Sequence, residues 1–406
     1  MQCRALLNHR GEASGLALAD EILRAYPNLS TDERIEWFRQ LSEQFSPDPK
    51  TVGDAADAYR ANPEFATLSA LAKAVEAPRQ KLLRRLNMAP GGTGRLVKIR
   101  GDLLEVLETH TELKPLDSDL RHLLIAWFNR GFLVMDRIDW NSSANVLEKI
   151  VNYEAVHEIN GLDDLRTRLA DDRRCFAFFH PAMPDDPLIF VQVALCNNVA
   201  DSIEPLISGN RQIGTAREAD TAVFYSISNC HDGLRGISFG NFLIKQVIEE
   251  LRRDLENIKH LVTLSPVPGL CRWIRSIPLD GMSERLEEDV FAAREILGED
   301  PQSSDLEQFS DHAQAILMRL CAHYLLNANR DGQPVDPVAR FHLGNGAELE
   351  RINWGADSSP AGRERSAGIM VNYVYRLADI ERNHERYFAE GEVVASSAVR
   401  KLAQSR

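Results

Sequence analysis

Paired cysteines, basic stretches and long apolar runs are all scarce in this 406-residue chain, and each scarcity removes a class of function. The six cysteines (Cys3, Cys175, Cys196, Cys230, Cys271, Cys321) are widely spaced, with no C-x-x-C pair and no histidine nearby at zinc-ligand spacing. They read as buried thiols rather than metal ligands. A formal net charge of -13 repels polyanions, and no local basic stripe offsets it, so nucleic acid is not an expected partner. Uninterrupted apolar runs such as those at 188–191 and 193–196 fall far short of the roughly 20 residues of a membrane-spanning helix, and no membrane association is expected. The first residues lack the basic, apolar and small-residue blocks of a secretory signal. Glu12, Asp20 and Glu21 also speak against a transit peptide, so the cytoplasm is the expected location.

What is present suits a globular protein of two or three domains, since 44% of residues are apolar. The first 170 residues read as helical. Ser30 to Glu33 has the form of a capping box, and Ile35, Phe38, Leu41 and Phe45 follow on one helical face. A second helix carries Leu68, Leu71 and Val75. Pro78 interrupts it, the pattern resumes at Leu82, Leu83 and Leu86, and Pro90-Gly91-Gly92 ends it. A third carries Leu120, Leu123, Leu124, Trp127 and Phe128, with Gly131 placed for a left-handed cap. Helical patterns over 145–159 and 162–169 complete this half.

From Cys175 the texture changes to short apolar runs bounded by Pro, Asp, Asn and Gly. Strands are expected at 175–179, 188–195, 222–230 and 260–265, with a helix over 240–255 between the last two. Further helices are expected at 283–297, where 284–288 form a wet face, and at 312–328, and late strands at 351–354 and 368–377. The boundary between a helical domain (1–170) and an α/β domain (171–406) is expected near 169–174.

The most mechanistic local feature is the turn His231-Asp232-Gly233-Leu234-Arg235-Gly236-Ile237-Ser238-Phe239-Gly240, between a predicted strand and the start of a helix. Glycines there allow tight turning and close backbone approach, and free N–H groups can face an anion such as a pyrophosphate. It matches neither the dinucleotide fingerprint nor the nucleoside-triphosphate P-loop, because the glycine spacing differs and no Lys-Ser or Lys-Thr follows. A strand, glycine turn, helix and strand in this order look like the acyl-CoA-binding core of N-acetyltransferases. Arg235 and Lys245 are candidate phosphate partners.

Several separated segments resemble the malonyl-CoA decarboxylase family in the family's order. They are Trp127-Phe128-Asn129-Arg130-Gly131-Phe132-Leu133, Tyr153-Glu154-Ala155-Val156-His157-Glu158-Ile159, Phe179-His180-Pro181-Ala182-Met183-Pro184-Asp185-Asp186-Pro187-Leu188-Ile189-Phe190, Phe224-Tyr225-Ser226-Ile227-Ser228, the turn above, Leu264-Ser265-Pro266-Val267-Pro268-Gly269 and Phe341-His342-Leu343-Gly344-Asn345-Gly346-Ala347. The resemblance implies an N-terminal all-α domain used in oligomerisation, as a dimer or tetramer. A catalytic domain of N-acetyltransferase-like α/β fold would follow it. It implies a serine and histidine pair at Ser265 and His342, and a CoA-binding turn at Asp232, Gly233, Leu234, Arg235, Gly236, Ile237 and Ser238. The chain ends Gln404-Ser405-Arg406 rather than in the Ser-Lys-Leu of the animal members, so peroxisomal import by that route is not expected.

The implied substrate is malonyl-CoA, and the implied reaction releases CO2 and leaves acetyl-CoA. Loss of CO2 leaves an electron pair beside the thioester, whose carbonyl is itself the electron sink, so the reaction calls for no metal or organic cofactor. It calls for donors to the thioester oxygen and for one proton. Ser265, at the end of a predicted strand before Pro266, can bind the carboxylate or relay a proton. His342, in a segment that reads as a loop or short turn, can donate to the oxygen or protonate the carbon. His180 is the rival histidine and reads as structural. An acyl-CoA-dependent acyltransferase and a non-catalytic acyl-CoA sensor would share the turn.

Overall fold

The computed structural model of the protein describes residues 2–8, 11–237, 242–298, 309–330 and 332–404. They fall into two compact units, one built from Met1–Val134, Phe178–Leu188 and Asn229–Phe239, the other from Met135–Ala177, Ile189–Ser228 and Gly240–Arg406. The texture of the sequence does change at 173, where a long strand starts, but packing parts the chain earlier. Residues 135–172, ahead of that strand, supply another strand and two helices to the α/β unit.

The first unit is helical. Ser30 Oγ accepts the Glu33 N–H at 3.3 Å while the Glu33 carboxylate accepts the Ser30 N–H at 2.8 Å, so the expected capping box opens the helix Thr31–Gln44. Its apolar face buries Phe38 and Leu41 against Leu82, Leu83, Leu86, Leu120 and Leu123. Each such side chain contributes about 1.5–3 kcal/mol on leaving water. Pro78 occupies the first turn of Pro78–Asn87, where its missing N–H costs nothing. One local expectation fails: Gly131 is not a left-handed cap. The helix Lys114–Trp127 ends at Phe128, and Asn129 Oδ1 takes the Gly131 N–H to start a short 3-10 turn instead.

The second unit is a mixed sheet with helices. Its strands are β1 (Val134–Ile138), β2 (Arg173–Phe179), β3 (Ile189–Cys196), β4 (Thr221–Asn229), β5 (His260–Thr263), β6 (Ser265–Pro266), a separate small hairpin of β7 (Asn329–Arg330) and β8 (Gln333–Pro334), then β9 (Glu348–Asn353) and β10 (Met370–Val374). The order is β1-β2-β3-β4-β5-β10-β6, with β9 also paired to β10. β4 and β5 are parallel and therefore need a crossover, which the helix Phe242–Asp254 provides while burying Leu243, Ile244, Val247, Ile248 and Leu251. The two strands pair only from Thr221↔His260 to Phe224↔Thr263, and β4 then runs on past this pairing to Asn229.

Side chains alternate across this sheet. Val223, Tyr225, Val262, Leu264 and Met370 enter one core cluster. Phe224, Thr263 and Ser265, offset by one, therefore take the opposite face. Ser226 and Ser228 donate to the buried Glu154 carboxylate at 2.8 and 3.1 Å, which also accepts from the Val156 and His157 N–H groups and from Gln192. A buried carboxylate is tolerable only when so fully satisfied. Two of the sequence segments singled out above, around Glu154 and around Ser226, thus meet in one structural network.

Candidate active site

Ser265 and His342, 77 positions apart, are in contact: Ser265 Oγ lies 3.1 Å from His342 Nε2. Both are buried, at 5% and 3% exposure. Ser265 is held by strand pairing, opposite Val371 of β10, and Pro266 still lies in the ladder opposite Met370. His342 is not in a loop, contrary to expectation; it sits in the last turn of the helix Pro337–Gly344. The helix starts with Asp336 as N-cap, whose carboxylate accepts the Val338 and Ala339 N–H groups at 2.9 Å each, and with proline at the first helical position. The Gly344-Asn345-Gly346 run that suggested a loop is the helix exit, closed by Gly346 at φ +79°.

Three further residues complete the site. Ser265 Oγ donates to Thr263 Oγ1 at 2.8 Å, Thr263 Oγ1 accepts the Tyr373 N–H at 3.1 Å, and His342 Nδ1 lies 2.8 Å from Tyr375 Oη. The Tyr373 ring stacks on the imidazole at 4.7 Å. Because the Ser265 proton is committed to Thr263, Nε2 must carry the imidazole proton and donate it to Ser265, and Nδ1 must accept from the Tyr375 hydroxyl. The result is one directed chain of donors, Tyr375 to His342 to Ser265 to Thr263. Burial pushes the His342 pKa down to about 3, so the resting ring is neutral at any working pH, and burial alone pushes the Tyr375 phenol up, so the resting phenol holds a proton for Nδ1.

Sequence reasoning missed Thr263, Tyr373 and Tyr375. Thr263 could have been suspected from the spacing, since i and i+2 share a strand face. The tyrosines carried no such signal, because a register shift between Asn372 and Tyr373 sets which β10 side chains face the helix. His180, the rival histidine, is not among the groups within hydrogen-bond reach of Ser265 or His342. It lies against Phe128 at 4.9 Å, its Nδ1 accepts the Ala182 N–H, and its Nε2 faces the Trp127 carbonyl at 3.1 Å.

The glycine turn belongs to the helical unit. Asp232, Gly233 and Leu234 form a 3-10 turn, and Gly233 fits so closely against the helix Gly92–Val106 that a Cβ there would overlap the Val97 carbonyl. Leu234, Arg235, Gly236 and Ile237 then make a type II turn, with Arg235 at φ -55°, ψ 130°, Gly236 at φ +75° and the Ile237 N–H on the Leu234 carbonyl at 3.0 Å. Leu234 and Ile237 are buried, while Asp232, Arg235 and Gly236 are exposed. The Arg235 guanidinium pairs with Asp232 at 2.7 Å. Lys245 is half-buried on the Phe242–Asp254 helix. Ser238 lies outside the described residues.

All six cysteines are free thiols, four of them buried and Cys3 and Cys196 partly so. No described helix is long and apolar enough to cross a membrane.

Residues 45–128 match the malonyl-CoA decarboxylase N-terminal domain and 131–406 the malonyl-CoA decarboxylase C-terminal domain. The mitochondrial malonyl-CoA decarboxylase of Anser anser anser is 35% identical over 411 residues, covering 93% of this chain and 82% of that protein. The crystal structure of malonyl-CoA decarboxylase from Rhodopseudomonas palustris superposes with a TM-score of 0.93 at 48% identity, covering 98% of both chains. That from Agrobacterium vitis gives 0.89 at 49% identity, covering 99% of this chain and 98% of the other. With both domains matched in order and the likeness running almost from end to end, the chain belongs to the malonyl-CoA decarboxylase family.

Proposed function

We propose that this chain is a carboxy-lyase that converts malonyl-CoA to acetyl-CoA and CO2, with Ser265 and His342 acting on the malonyl group. The observation that carries the mechanism is the directed donor chain ending at Ser265, built on a neutral histidine. The C–C bond to the carboxylate breaks, its electron pair moves onto the carbon beside the thioester, and the thioester carbonyl takes up the charge. Ser265 turns its O–H from Thr263 to that carbon, His342 Nε2–H refills the serine, Tyr375 refills Nδ1, and solvent returns the proton. Because the thioester is the electron sink, this route asks for no cofactor. The turn from Asp232 to Ser238 holds the pyrophosphate of CoA.

Purified protein incubated with malonyl-CoA alone, without acceptor or added metal, should yield acetyl-CoA and CO2 in equal amounts. An acyltransferase would leave malonyl-CoA intact under these conditions, and a sensor would bind it without turnover. Folded protein that yields no acetyl-CoA sinks the reading.

The working form is a homo-oligomer, dimer or tetramer, in the cytoplasm, associated through the helical half. The helix Phe65–Val75 supports this: it buries none of its residues, and Phe65 is 86% exposed with Leu68 and Val75 also open. Sedimentation velocity should find the parent larger than a single chain and Phe65→Asp smaller than the parent. A monomeric parent overturns the association.

A further inference from the structure

We propose that Arg100, on the helix Gly92–Val106, is a positioning residue for CoA: it holds the glycine turn in the conformation that presents the Gly236 N–H to a phosphate. The inference rests on the reading of that turn as the CoA anchor. Arg100 is 2% exposed, and its guanidinium makes three contacts. Nε donates to Asp117 Oδ1 at 2.8 Å, and one terminal nitrogen donates to the Gly233 carbonyl at 2.7 Å and the Arg235 carbonyl at 2.9 Å. Arg121 adds a donor to the Gly236 carbonyl at 3.1 Å. The carbonyls of Gly233, Arg235 and Gly236, three of the four from Gly233 to Gly236, thus each accept from a guanidinium of the helical unit, while that of Leu234 closes the turn on the Ile237 N–H.

The peptide plane makes this consequential. Across a trans peptide the C=O of one residue and the N–H of the next point in opposite directions. With the Arg235 oxygen drawn to Arg100, the Gly236 N–H must point away from it. The neighbouring N–H groups of Leu234, Arg235 and Ile237 are already used within the turn, on the carbonyls of His231, Asp232 and Leu234. The central peptide of a type II turn also competes with a flipped arrangement, as in type I, which would reverse that N–H. Charge-assisted hydrogen bonds to the Arg235 carbonyl select the type II form. The Asp117 carboxylate keeps the buried cation paired and aimed, so the helix pair Gly92–Val106 and Lys114–Trp127 presets a ligand loop that lies over a hundred positions away in sequence.

The test compares Arg100→Lys, Arg121→Ala and Gly236→Val with the parent. Lysine keeps the charge but cannot fork to Asp117 and two carbonyls; Arg121 is exposed, so its removal leaves folding intact. Calorimetry with CoA and steady-state kinetics with malonyl-CoA are read beside kinetics with malonyl-N-acetylcysteamine, a thioester without the phosphates. For Arg100→Lys we expect CoA affinity to fall and KM for malonyl-CoA to rise roughly tenfold or more, with a smaller rise for Arg121→Ala. Its kcat and its use of the truncated thioester should stay within about twofold of the parent. An equal loss on both substrates would make Arg100 a general structural residue and overturn the proposal. So would unchanged CoA affinity in both arginine variants while Gly236→Val weakens CoA. If Gly236→Val also leaves CoA affinity unchanged, the turn itself is not the anchor and both readings fall.

Discussion

Ser265→Ala will lower kcat for malonyl-CoA by roughly a hundredfold or more, and His342→Ala will do the same, since each removes a step of proton delivery worth 10²–10⁴ in rate. The double variant should be no worse than either single one, because the two act in series on one proton. Tyr375→Phe, which removes only the donor to Nδ1, should cost about tenfold. A Ser265→Ala protein that retains more than half the parent rate sinks the relay.

The pH dependence follows from the same burial. His342 is neutral in the fold down to about pH 3, so the kcat profile should show no acid limb near 6.5, the ordinary histidine value. Unfolding exposes the ring, which then takes up a proton below about 6.5. The unfolded state therefore binds more protons in the window from about 6.5 down to about 3, and stability is lost as pH falls through it, at roughly 1.4 kcal/mol per pH unit from this group. His342→Gln should flatten the denaturation midpoint against pH by that amount. An unchanged slope would mean that the ring titrates normally in the fold.

Gly346→Ala will destabilise the α/β unit by about 2–5 kcal/mol. The residue lies at φ +79°, and a Cβ there would overlap the Ile380 carbonyl at the start of the helix Ile380–Glu390, so strain and collision add. Neither neighbour can give way cheaply. The Gly346 N–H closes the His342 helix on the Leu343 carbonyl, and its own carbonyl accepts from Asn383. Gly355→Ala is the control: its φ is +61°, but nothing lies within 4 Å of the added carbon, so only the backbone strain of about 1 kcal/mol is expected. Urea midpoints read on both variants separate collision from strain. Because Gly346 fixes where the His342 helix ends, its variant should also lose activity, while Gly355→Ala keeps it. Equal midpoints for the two would remove the argument from close packing.

The residues that could be read without a fold are those whose meaning is local. The Ser30–Glu33 box closes over three positions, so composition and spacing determined it. The same holds for the helical stripe of Phe38 and Leu41, and for the strand, glycine turn and helix that frame Asp232 to Ile237. Family resemblance placed Ser265 and His342, but nothing in their own neighbourhoods said that they touch. Where local signals failed, they failed for local competition. Gly131 looked like a cap, yet Asn129 claimed its N–H. Gly344-Asn345-Gly346 looked like a loop, because a helix exit and a loop use the same residues; the Asp336-Pro337 start that settles the matter lies six positions before His342.

What tertiary structure alone decided is which distant groups share a proton or a carbonyl. The donor chain joins positions 263, 265, 342 and 375, and its order depends on strand register, on one bulge in β10 and on the depth at which the Pro337–Gly344 helix packs. A slip of one residue in a strand would turn every one of its side chains to the other face, so no inspection of composition recovers the chain. Burial likewise turned an ordinary histidine into a permanently neutral donor, a property of its surroundings rather than of its neighbours in sequence. Arg100 is the plainest instance: by sequence a basic residue on a helix, by structure a buried fork on the carbonyls of a turn 133 and 135 positions away.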